Sequence, residues 1–515
     1  MKWLFLYFLL NIANLIKSQP LLFKSIDPSS VPYNYDSGTN IIYDNDHYFV
    51  TSNSSCYNID PSCIQYLKIN QQGLIVNQLT INADSFGTLG HIAGRTLIVN
   101  ENNNFFLLND GYTIERDRQL VLLEISKDFK LLNTFEYGGY KSDASNQIIN
   151  SALNEYVIIG SVLDTFLRTT HLYYYKINGN GEVLNEGFIS GGYPNYNIED
   201  GANIFKTEDG GYIINYYAEE YGIDVKDRFC VLCKLDSSFH VIWQKRLEGA
   251  TFFKNSIQLQ PTPDKGFVVV WGIDTTFIEG IQYNLYPYIR KYSKTGSIEW
   301  QYDFKWPAYQ VRAIRVTDEG DIIGSGYTEK PTDIAPWAWL FRISKDGKLV
   351  WSRRYGDPVR KPLVYYKLDD LQWTKERRIA ATGFTIDSIP NGGWANANIL
   401  LLVVDENGCL EPNCNTDDII LNSENLKSSS YNEMIQVYPN PVMDNFIIER
   451  GDHFNNEEVE ISVCDIKGVI LDSYILLQGQ NNLKMQLKLS SGIYLIRAVI
   501  SKLGIIYFKK IIVHE

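Results

Sequence analysis

Side chains capable of acid–base or metal chemistry are plentiful in this 515-residue chain, but they form no recognisable catalytic motif. Neither an HExxH nor a GxSxG sequence occurs. The six histidines are scattered, at His47, His91, His171, His240, His453 and His514. A glycosidase needs two carboxylates roughly 5–10 Å apart, and among 60 acidic residues chance pairs are certain. The acids predicted to lie in loops on one face are Glu199, Asp200, Glu219, Glu220, Asp224 and Glu279.

Two short acidic segments contain oxygen atoms that could bind calcium. They are 44–46 (DND) and 405–408 (DENG), and neither has the distal Glu that an EF-hand-like loop requires. Turn formation explains both with fewer assumptions. The sequence therefore predicts no metal site, no cofactor and no catalytic residue.

Aromatic residues in long, irregular segments are the leading ligand-binding candidates. Binding residues concentrate on loops that a rigid scaffold displays, and exposed rings can stack on sugars or on a partner's apolar side chains. The alternative is that these rings pack the loops onto the scaffold. The candidates are Trp306, Trp337, Trp394, Tyr193, Tyr221 and Tyr286. Trp243, Trp300 and Trp351 lie instead in a repeated strand, where we expect them to pack between repeats.

The seven cysteines fall into three groups. Two pairs flank short loops and could close disulfides. These pairs are Cys56 with Cys63 and Cys409 with Cys414. Cys230 and Cys233 have CxxC spacing on a predicted strand, where they would point to opposite faces, so we expect two core cysteines. Cys464 is left over and is predicted to be buried.

A unit repeated seven times must position all of these residues. Its copies are LKINQQGLIV (67–76), LEISKDFKLL (123–132), YKINGNGEVL (175–184), CKLDSSFHVIW (233–243), RKYSKTGSIEW (290–300), FRISKDGKLVW (341–351) and LVVDENGCL (402–410). The aligned positions are Lys68, Glu124, Lys176, Lys234, Lys291, Arg342 and Val404. A second hairpin with an acidic-Gly turn precedes several copies, as in 205–217. Four-stranded units that bury their faces on their neighbours describe a β-propeller. We predict an all-β propeller over 19–412 with seven blades, six or eight being the alternatives.

The direction of the strands separates short turns from long connections. Because successive strands run in opposite directions, both tight turns of every unit must lie at one end. The longer connections then share the other end, and they include 110–118, 218–228, 275–286, 328–337 and 386–396. We expect ligand binding at this second end.

Composition and charge exclude several classes of protein. Hydrophobic residues make up 45% of the chain and charged residues 21%, which is typical of globular domains and excludes wholesale disorder. The net charge of −13 and the pI of about 5.1 leave no basic surface for nucleic acid or anionic membranes.

The first 18 residues read as a secretory signal peptide. Lys2 provides the positive start, 3–16 are almost wholly apolar, and Ser18 is the small residue near a cleavage site. The alternative is a buried N-terminal helix. No other stretch reaches the roughly 18 apolar residues of a membrane helix, so the mature chain is predicted to be exported without a transmembrane segment.

The C-terminal segment has a different pattern. Residues 413–433 are polar and rich in Asn and Ser, which is typical of a linker. Residues 434–515 then contain seven short predicted strands, which indicates a small Ig-like β-sandwich. The strands are 435–438, 445–449, 458–466, 469–476, 483–489, 493–500 and 505–513.

Four ordered runs in this segment resemble a known family. They are VYPNPVMDNFII, VCDIKGVIL, LKLSSGIYLIRAV and FKKIIVHE, and they resemble the type A C-terminal sorting domain of the type IX secretion system. An ordinary Ig-like adhesion module is the alternative. The positions that carry the resemblance are Tyr438, Pro439, Asn440, Pro441, Gly468, Gly492, Tyr494, Lys509 and Lys510. The resemblance implies a bacterium of the Bacteroidetes group and recognition by the type IX machinery. It also implies removal of the domain and a product that is released or anchored at the cell surface.

Three functions remain open for the N-terminal repeats. The first is a non-catalytic binding module for a glycan or a protein. The second is a secreted hydrolase or lyase that acts on glycans through carboxylates near the propeller channel. The third is a scaffold of the cell surface. The absence of a catalytic motif favours the first, and the sequence does not identify the ligand.

Overall fold

A computed structural model describes most of the chain, in two compact units of residues 1–422 and 423–515. The described residues are 22–26, 36–55, 62–81, 96–112, 118–138, 143–164, 169–189, 196–220, 228–247, 257–274, 285–304, 309–328, 336–356, 364–388, 394–410, 414, 417–420, 435–438, 442, 445–450, 458–465, 470–486, 490–500 and 505–513. All regular structure within these ranges is β-strand, so the predicted all-β class is confirmed. Over the same residues, no helix has the length and apolar character that crossing a bilayer requires.

The first three sheets of the first unit follow a short opening strand, β1 (Leu22–Ile26). The first sheet contains β2 (Ser37–Asp44), β3 (His47–Ser55), β4 (Ser62–Asn70) and β5 (Ile75–Ile81). The second contains β6 (Leu97–Val99), β7 (Phe105–Tyr112), β8 (Arg118–Ile125) and β9 (Leu131–Tyr137). The third contains β10 (Asp143–Ala152), β11 (Glu155–Asp164), β12 (Thr169–Asn178) and β13 (Val183–Phe188).

Four further sheets complete this unit. The fourth contains β14 (Tyr196–Lys206), β15 (Tyr212–Glu220), β16 (Arg228–Leu235) and β17 (Val241–Leu247). The fifth contains β18 (Gln258–Pro261), β19 (Phe267–Asp274), β20 (Leu285–Tyr292) and β21 (Ile298–Asp303). The sixth contains β22 (Tyr309–Val316), β23 (Ile322–Thr328), β24 (Trp337–Ile343) and β25 (Leu349–Gly356). The seventh contains β26 (Val364–Trp373), β27 (Ile379–Ser388) and β28 (Trp394–Val404).

Two sheets receive a strand from elsewhere in the chain. The opening strand β1 pairs antiparallel with β28 and supplies the fourth strand of the seventh sheet, with Leu22 opposite Val403. A short strand, β29 (Asp418–Ile420), pairs parallel with β25 and adds a fifth strand to the sixth sheet. Within each sheet the strands otherwise pair antiparallel in chain order. Their two tight turns therefore lie at one end, the hairpin end, and their other connections lie at the opposite end, the loop end.

Apolar clusters join successive sheets into a propeller-like arrangement. One face of each described sheet shares a cluster with the sheet before it, and the other face with the sheet after it. A further cluster contains Ile41 of the first sheet and Leu401 of the seventh. The inner strands of these sheets are consequently buried on both faces, which explains why they lack a strict alternation of apolar and polar residues.

The turn between the third and fourth strands packs against the preceding sheet. Gly296 and Gly347 occupy this turn with φ values of 80° and 78°, and Gly408 occupies the corresponding turn after β28 with a φ of 74°. A Cβ on Gly347 would lie 2.7 Å from the Trp300 ring. The corresponding rings for Gly296 and Gly408 are those of Trp243 and Trp351. The prediction that these three tryptophans pack between repeats is confirmed.

Two copies of this turn use a phenylalanine where the others use glycine. Phe129 and Phe239 have φ values of 63° and 66° and are buried. The Phe239 ring stacks on Tyr174 of the preceding sheet at a centroid distance of 3.7 Å. At these junctions the space between sheets is filled either by a ring from the preceding sheet or by a ring on the turn itself.

The second unit contains two sheets. Its strands are β30 (Ile435–Tyr438), β31 (Asn445–Arg450), β32 (Val459–Cys464), β33 (Ile470–Leu476), β34 (Asn482–Gln486), β35 (Gly492–Ile500) and β36 (Ile505–Val513). The order β30-β31-β34 forms a three-stranded sheet, and β33-β32-β35-β36 forms a four-stranded sheet. Ile448 of the first and Ile461 and Ile496 of the second belong to one shared core. These strands lie close to the positions that the sequence predicts.

Candidate ligand-binding face

At the loop end of the first unit, the structure describes the strand ends. Several of the predicted site residues lie outside the described residues. Trp306, Tyr193 and Tyr221 lie outside the described residues. Trp394 begins β28 opposite Ser388, and Tyr286 lies in β20 opposite Ile273. For these two residues the structure describes the backbone only, so their role in binding stays a prediction.

Trp337 does not present an exposed ring. Only 7% of its surface is accessible, and the guanidinium of Arg354 lies 4.7 Å from the ring centroid. A Cβ on Gly356 would lie 2.5 Å from the ring, so the indole lies across the glycine that ends the neighbouring strand. The expectation of a stacking surface at Trp337 was wrong, because this residue begins strand β24 and packs within the sixth sheet instead of projecting from a loop.

Polar side chains on the first two strands of several sheets tie each of these sheets to the next. They lie near the loop end of these strands, and their partners belong to the following sheet. The hydrogen bonds are Asn40 Nδ2 to Thr96 Oγ1 (3.2 Å), Ser145 N to Asp110 Oδ1 (2.6 Å), Ile204 N to Gln147 Oε1 (2.8 Å), Asn203 Nδ2 to Ile257 O (3.1 Å) and Ile41 N to Asp370 Oδ2 (3.0 Å). The layer is structural, because a buried polar group is stable only when it is hydrogen-bonded.

Two carboxylates of β26 form ion pairs with the preceding sheet. Arg312 Nε donates to Asp369 at 2.7 Å, and Arg315 Nη2 donates to Asp370 at 2.7 Å. The Asp370 side chain is only 4% exposed. A glycosidase needs two carboxyl groups that can reach its substrate, whereas each of these is hydrogen-bonded to an arginine of the neighbouring sheet. These adjacent acids therefore stabilise the junction of the sixth and seventh sheets.

The acids assigned to loops on the basis of sequence lie elsewhere. Glu199 and Asp200 belong to β14, and Glu219 and Glu220 belong to β15, so the loop assignment of these four was wrong. The strands extend further than predicted because Asn197 pairs with Glu219 and Tyr196 with Glu220. Asp224 and Glu279 lie outside the described residues.

A lysine with two aromatic neighbours lies at the loop end of the seventh sheet. The ammonium of Lys367 lies 4.4 Å from the ring centroid of Tyr327, which belongs to the sixth sheet. It lies 5.7 Å from the centroid of Phe384, its cross-strand neighbour. All three side chains are half-buried. We call this group the Lys367 cluster; sequence reasoning missed it because its members come from three strands of two sheets.

The repeated charged position forms ion pairs at the hairpin end. Its lysine or arginine reaches the turn between the first two strands of the same sheet. The pairs are Lys234 with Asp209 (2.7 Å), Lys291 with Asp264 (2.8 Å), Arg342 with Asp321 (2.9 Å) and Lys176 with Glu155 (2.7 Å). Hydrogen bonds from Lys234 and Thr207 lower the pKa of Asp209 to about 2. These charges connect the two turns of one sheet.

The cysteines occupy three kinds of environment. Cys409 and Cys414 form a disulfide, and Cys63 is also disulfide-bonded while Cys56 lies outside the described residues. Cys230 and Cys233 are not disulfide-bonded and are buried in clusters on opposite faces of the fourth sheet, as predicted. Cys464 is free and buried. Among the described residues, no group of three His, Cys, Asp or Glu side chains is arranged to hold a metal ion.

The predicted sorting residues lie partly within the described part of the second unit. Tyr438 ends β30 and is 41% exposed. Gly492 begins β35, and the Tyr494 hydroxyl donates to Ser490 O at 3.0 Å. Pro439, Asn440, Pro441 and Gly468 lie outside the described residues, and only the backbone of Lys509 and Lys510 is described.

Comparison with protein families decides the role of this unit. Residues 436–514 match the model of the secretion system C-terminal sorting domain. The second unit is a type IX sorting domain. This domain directs a protein to the secretion machinery, so the chain is a secreted or cell-surface protein. No curated protein matches the chain by sequence.

Several solved structures are similar to the chain at low identity. The β-propeller domain of the Trilobed protease from Pyrococcus furiosus is 9% identical, with 72% of this chain and 94% of that chain covered and a TM-score of 0.39. The α-L-arabinofuranosidase Arb93A from Fusarium graminearum is 12% identical, covering 60% and 91%, with a TM-score of 0.36. A subtype N11 neuraminidase-like protein of A/flat-faced bat/Peru/033/2010 is 10% identical, covering 76% and 98%, with a TM-score of 0.34.

Proposed function

We propose that the chain is a secreted binding protein whose first unit engages a glycan or a protein through the loop end. In this proposal the seven sheets are seven blades of a closed propeller, and the sorting domain is an Ig-like sandwich. Residues 1–18 direct export to the periplasm of a bacterium of the Bacteroidetes group. The type IX machinery then carries the folded protein to the surface.

The Lys367 cluster is the observation that carries the binding role. A cation beside two rings, half-buried at the end of an inner strand, offers both a charge and apolar faces to a ligand. Such a group suits a sugar ring that bears an acidic substituent, or an acidic side chain of a protein. Trp306, Trp394, Tyr193, Tyr221 and Tyr286 remain candidates for the surrounding surface, and Trp337 does not.

The ion pairs of Asp369 and Asp370 favour binding over hydrolysis. A hydrolase at the channel would use inner-strand carboxylates, and these two are already neutralised by Arg312 and Arg315. Neither carboxylate could contact a substrate without giving up its ion pair at the junction between two sheets.

A glycan-array measurement on the purified full chain tests the proposal. The variant Lys367→Ala removes the positive charge beside the two rings. It should therefore lose about tenfold in affinity for any glycan that binds. Lys367→Arg should retain most of the binding. Lys130→Ala provides the matched control, since Lys130 is an exposed lysine at the hairpin end.

The same experiment separates the alternatives. Equal binding by the wild type and Lys367→Ala would remove the Lys367 cluster from the site. Release of shortened glycans from the array would instead support a hydrolase or lyase. Chains that bind no glycan and self-associate would support a scaffold role.

A further inference from the structure

The junction of the sixth and seventh sheets has a second charged level next to the Lys367 cluster. On β26, Asp369 lies two residues beyond Lys367 toward the hairpin end. On β22, Arg312 lies two residues beyond Gln310, which pairs with Tyr327 of the cluster. Two residues along a strand correspond to about 6–7 Å. The Arg312–Asp369 ion pair, with Nε and Oδ1 2.7 Å apart, therefore lies one step deeper than the Lys367 cluster.

Both members of this ion pair lie where the strand register shifts. Arg312 is the extra residue between paired positions of β22, and Asp369 is the extra residue of β26. The same shift in the first and third sheets falls on Thr39 and Asn146, which are neutral and buried. The Arg312 side chain is instead charged and 25% exposed. A bulge redirects a side chain and is common beside active sites, so this junction presents a charged group where two others do not.

The sixth sheet also lacks a link that other sheets make at the next position. The residues that follow the shift in the first, third and seventh sheets make hydrogen bonds across the junction with the next sheet; they are Asn40, Gln147 and Asp370. In the sixth sheet this position is Ala313, which has no polar side chain. Departures from a consistent structural pattern concentrate at functional sites. The charged junction therefore has a role beyond the packing of two sheets.

Arg312 has the chemistry to recognise an anion while its ion pair stays intact. A guanidinium carries five N–H donors in one plane, and Nε donates to Asp369. This bond fixes the plane in which the other N–H groups lie. Two N–H groups on one edge of a guanidinium match the two oxygens of a carboxylate. Asp369 is thus a positioning residue for Arg312.

We infer that Arg312 and the Lys367 cluster together bind a saccharide that carries a carboxylate, that is, a uronic acid unit. Arg312 holds the carboxylate through paired N–H groups, and Lys367 supplies the compensating charge. The apolar face of the sugar lies against the half-buried rings of Tyr327 and Phe384, which favours a saccharide over an acidic peptide. The inference rests on the proposed binding role of the Lys367 cluster and adds Arg312 and the class of ligand.

Affinity measurements with the purified full chain test the class of ligand. The probes are oligomers of galacturonate, glucuronate and mannuronate, the same oligomers with every carboxylate reduced to a primary alcohol, and oligoglutamate. At least one uronate should bind at least tenfold more tightly than its reduced form. This difference should shrink as salt is added, because the recognised group is charged.

The variant Arg312→Lys tests the residue. It keeps a positive charge beside Asp369 but loses the planar fork, so the affinity for the uronate should fall about tenfold, whereas that for the reduced form should not change. Arg315→Lys is the matched control. Arg315 lies on the same strand, nearer the hairpin end, and pairs with Asp370 at the same 2.7 Å. This control should bind the uronate like the wild type.

Urea unfolding separates binding from the stability of the junction. The two lysine variants should have similar free energies of unfolding, since each retains a charged pair. If Arg312→Lys does not fold, the neutral pair Arg312→Gln with Asp369→Asn provides a second test. This pair can hydrogen-bond across the junction but has no guanidinium, and it should also lose the uronate.

The outcomes distinguish this inference from the proposed function. Equal uronate affinity of the wild type and folded Arg312→Lys would overturn the inference, and loss of binding in Lys367→Ala would still support the proposed function. Equal binding of uronates and their reduced forms, binding of oligoglutamate alone, or no binding of any uronate would overturn the class of ligand. Uronate binding that depends on Arg312 and not on Lys367 would contradict the proposed function and support the assignment of Arg312.

Discussion

The pairing of a turn residue with a ring from the preceding sheet is the smallest unit that holds the repeats in register. Where a tryptophan or phenylalanine of the preceding sheet contacts this turn, the turn has glycine, as at Gly347 beside the Trp300 ring. Where the turn itself carries the ring, as at Phe239, it stacks on Tyr174 instead. At these junctions the ring therefore comes either from the preceding sheet or from the turn itself.

Substitution of the turn glycines should separate the contact from the backbone conformation. Gly347→Ala places a methyl group 2.7 Å from the Trp300 ring at a φ of 78°, whereas Gly210→Ala meets nothing within 4 Å at a φ of 81°. Both variants should lose about 1 kcal/mol from left-handed strain. Gly347→Ala should lose about a further 1–2 kcal/mol from overpacking. Equal urea midpoints for the two would contradict the ring contact.

The low pKa of Asp209 predicts a pH-dependent contribution to stability. Its folded-state pKa of about 2 lies below the ordinary value of 3.8, so the contribution is present above pH 4 and is lost as the pH falls toward 2. The side chain is 63% exposed, so Asp209→Asn should cost less than about 1 kcal/mol at pH 7. Urea unfolding from pH 7 to 2 should show this difference shrinking to zero. The exposed Asp346→Asn variant serves as the control.

The opening strand β1 completes the last sheet and so links the start of the first unit to its end. It adds Leu22 and Ile26 to the cluster between the seventh and first sheets, and the Ser25 hydroxyl lies 3.2 Å from that of Thr385. Sequence patterns did not reveal this pairing, because the repeated landmark ends in β28 and nothing local identifies a distant fourth strand.

Breaking β1 should open this junction. Replacing Lys24 and Ser25 together by proline removes a ladder hydrogen bond whichever of the two N–H groups points at β28, and should cost about 1–3 kcal/mol. Threonine at both positions keeps a strand-forming sequence and is the control. Urea unfolding and limited proteolysis of both variants report the effect. Unchanged protease resistance of the proline variant would show that β1 is dispensable.

Prediction from sequence succeeded where one period or one turn determines the structure. The hairpin turns, the inter-sheet tryptophans and the opposed Cys230 and Cys233 all follow from local spacing. Prediction failed at Trp337, because the ring of this residue is buried against Gly356 of the neighbouring strand. The Lys367 cluster was also invisible, since its residues meet only after two sheets have packed. Local sequence patterns therefore do not reveal contacts between side chains that meet only once different strands have paired or packed.

At the scale of the whole molecule, the two units have separate cores and separate tasks. The clusters of the first unit contain only residues from 22 to 419, and the core of the second contains only residues from 435 to 513. Because hydrophobic burial is the dominant favourable contribution to folding, each unit should fold without the other. Passage from the periplasm to the outside, by contrast, should depend on the second unit.

Removal of residues 423–515 should therefore abolish export without unfolding what remains. The truncated chain should keep the melting temperature of the first unit, since β29 and the Cys409–Cys414 disulfide both lie before the cut, yet it should accumulate inside the cell. Differential scanning calorimetry and fractionation of cells and medium measure the two effects. As the reciprocal control, residues 423–515 fused to an unrelated exported protein should carry that protein into the medium. A truncated chain that still reaches the medium would place a second export signal in the first unit, and one that melts at a lower temperature would show that the two units stabilise each other.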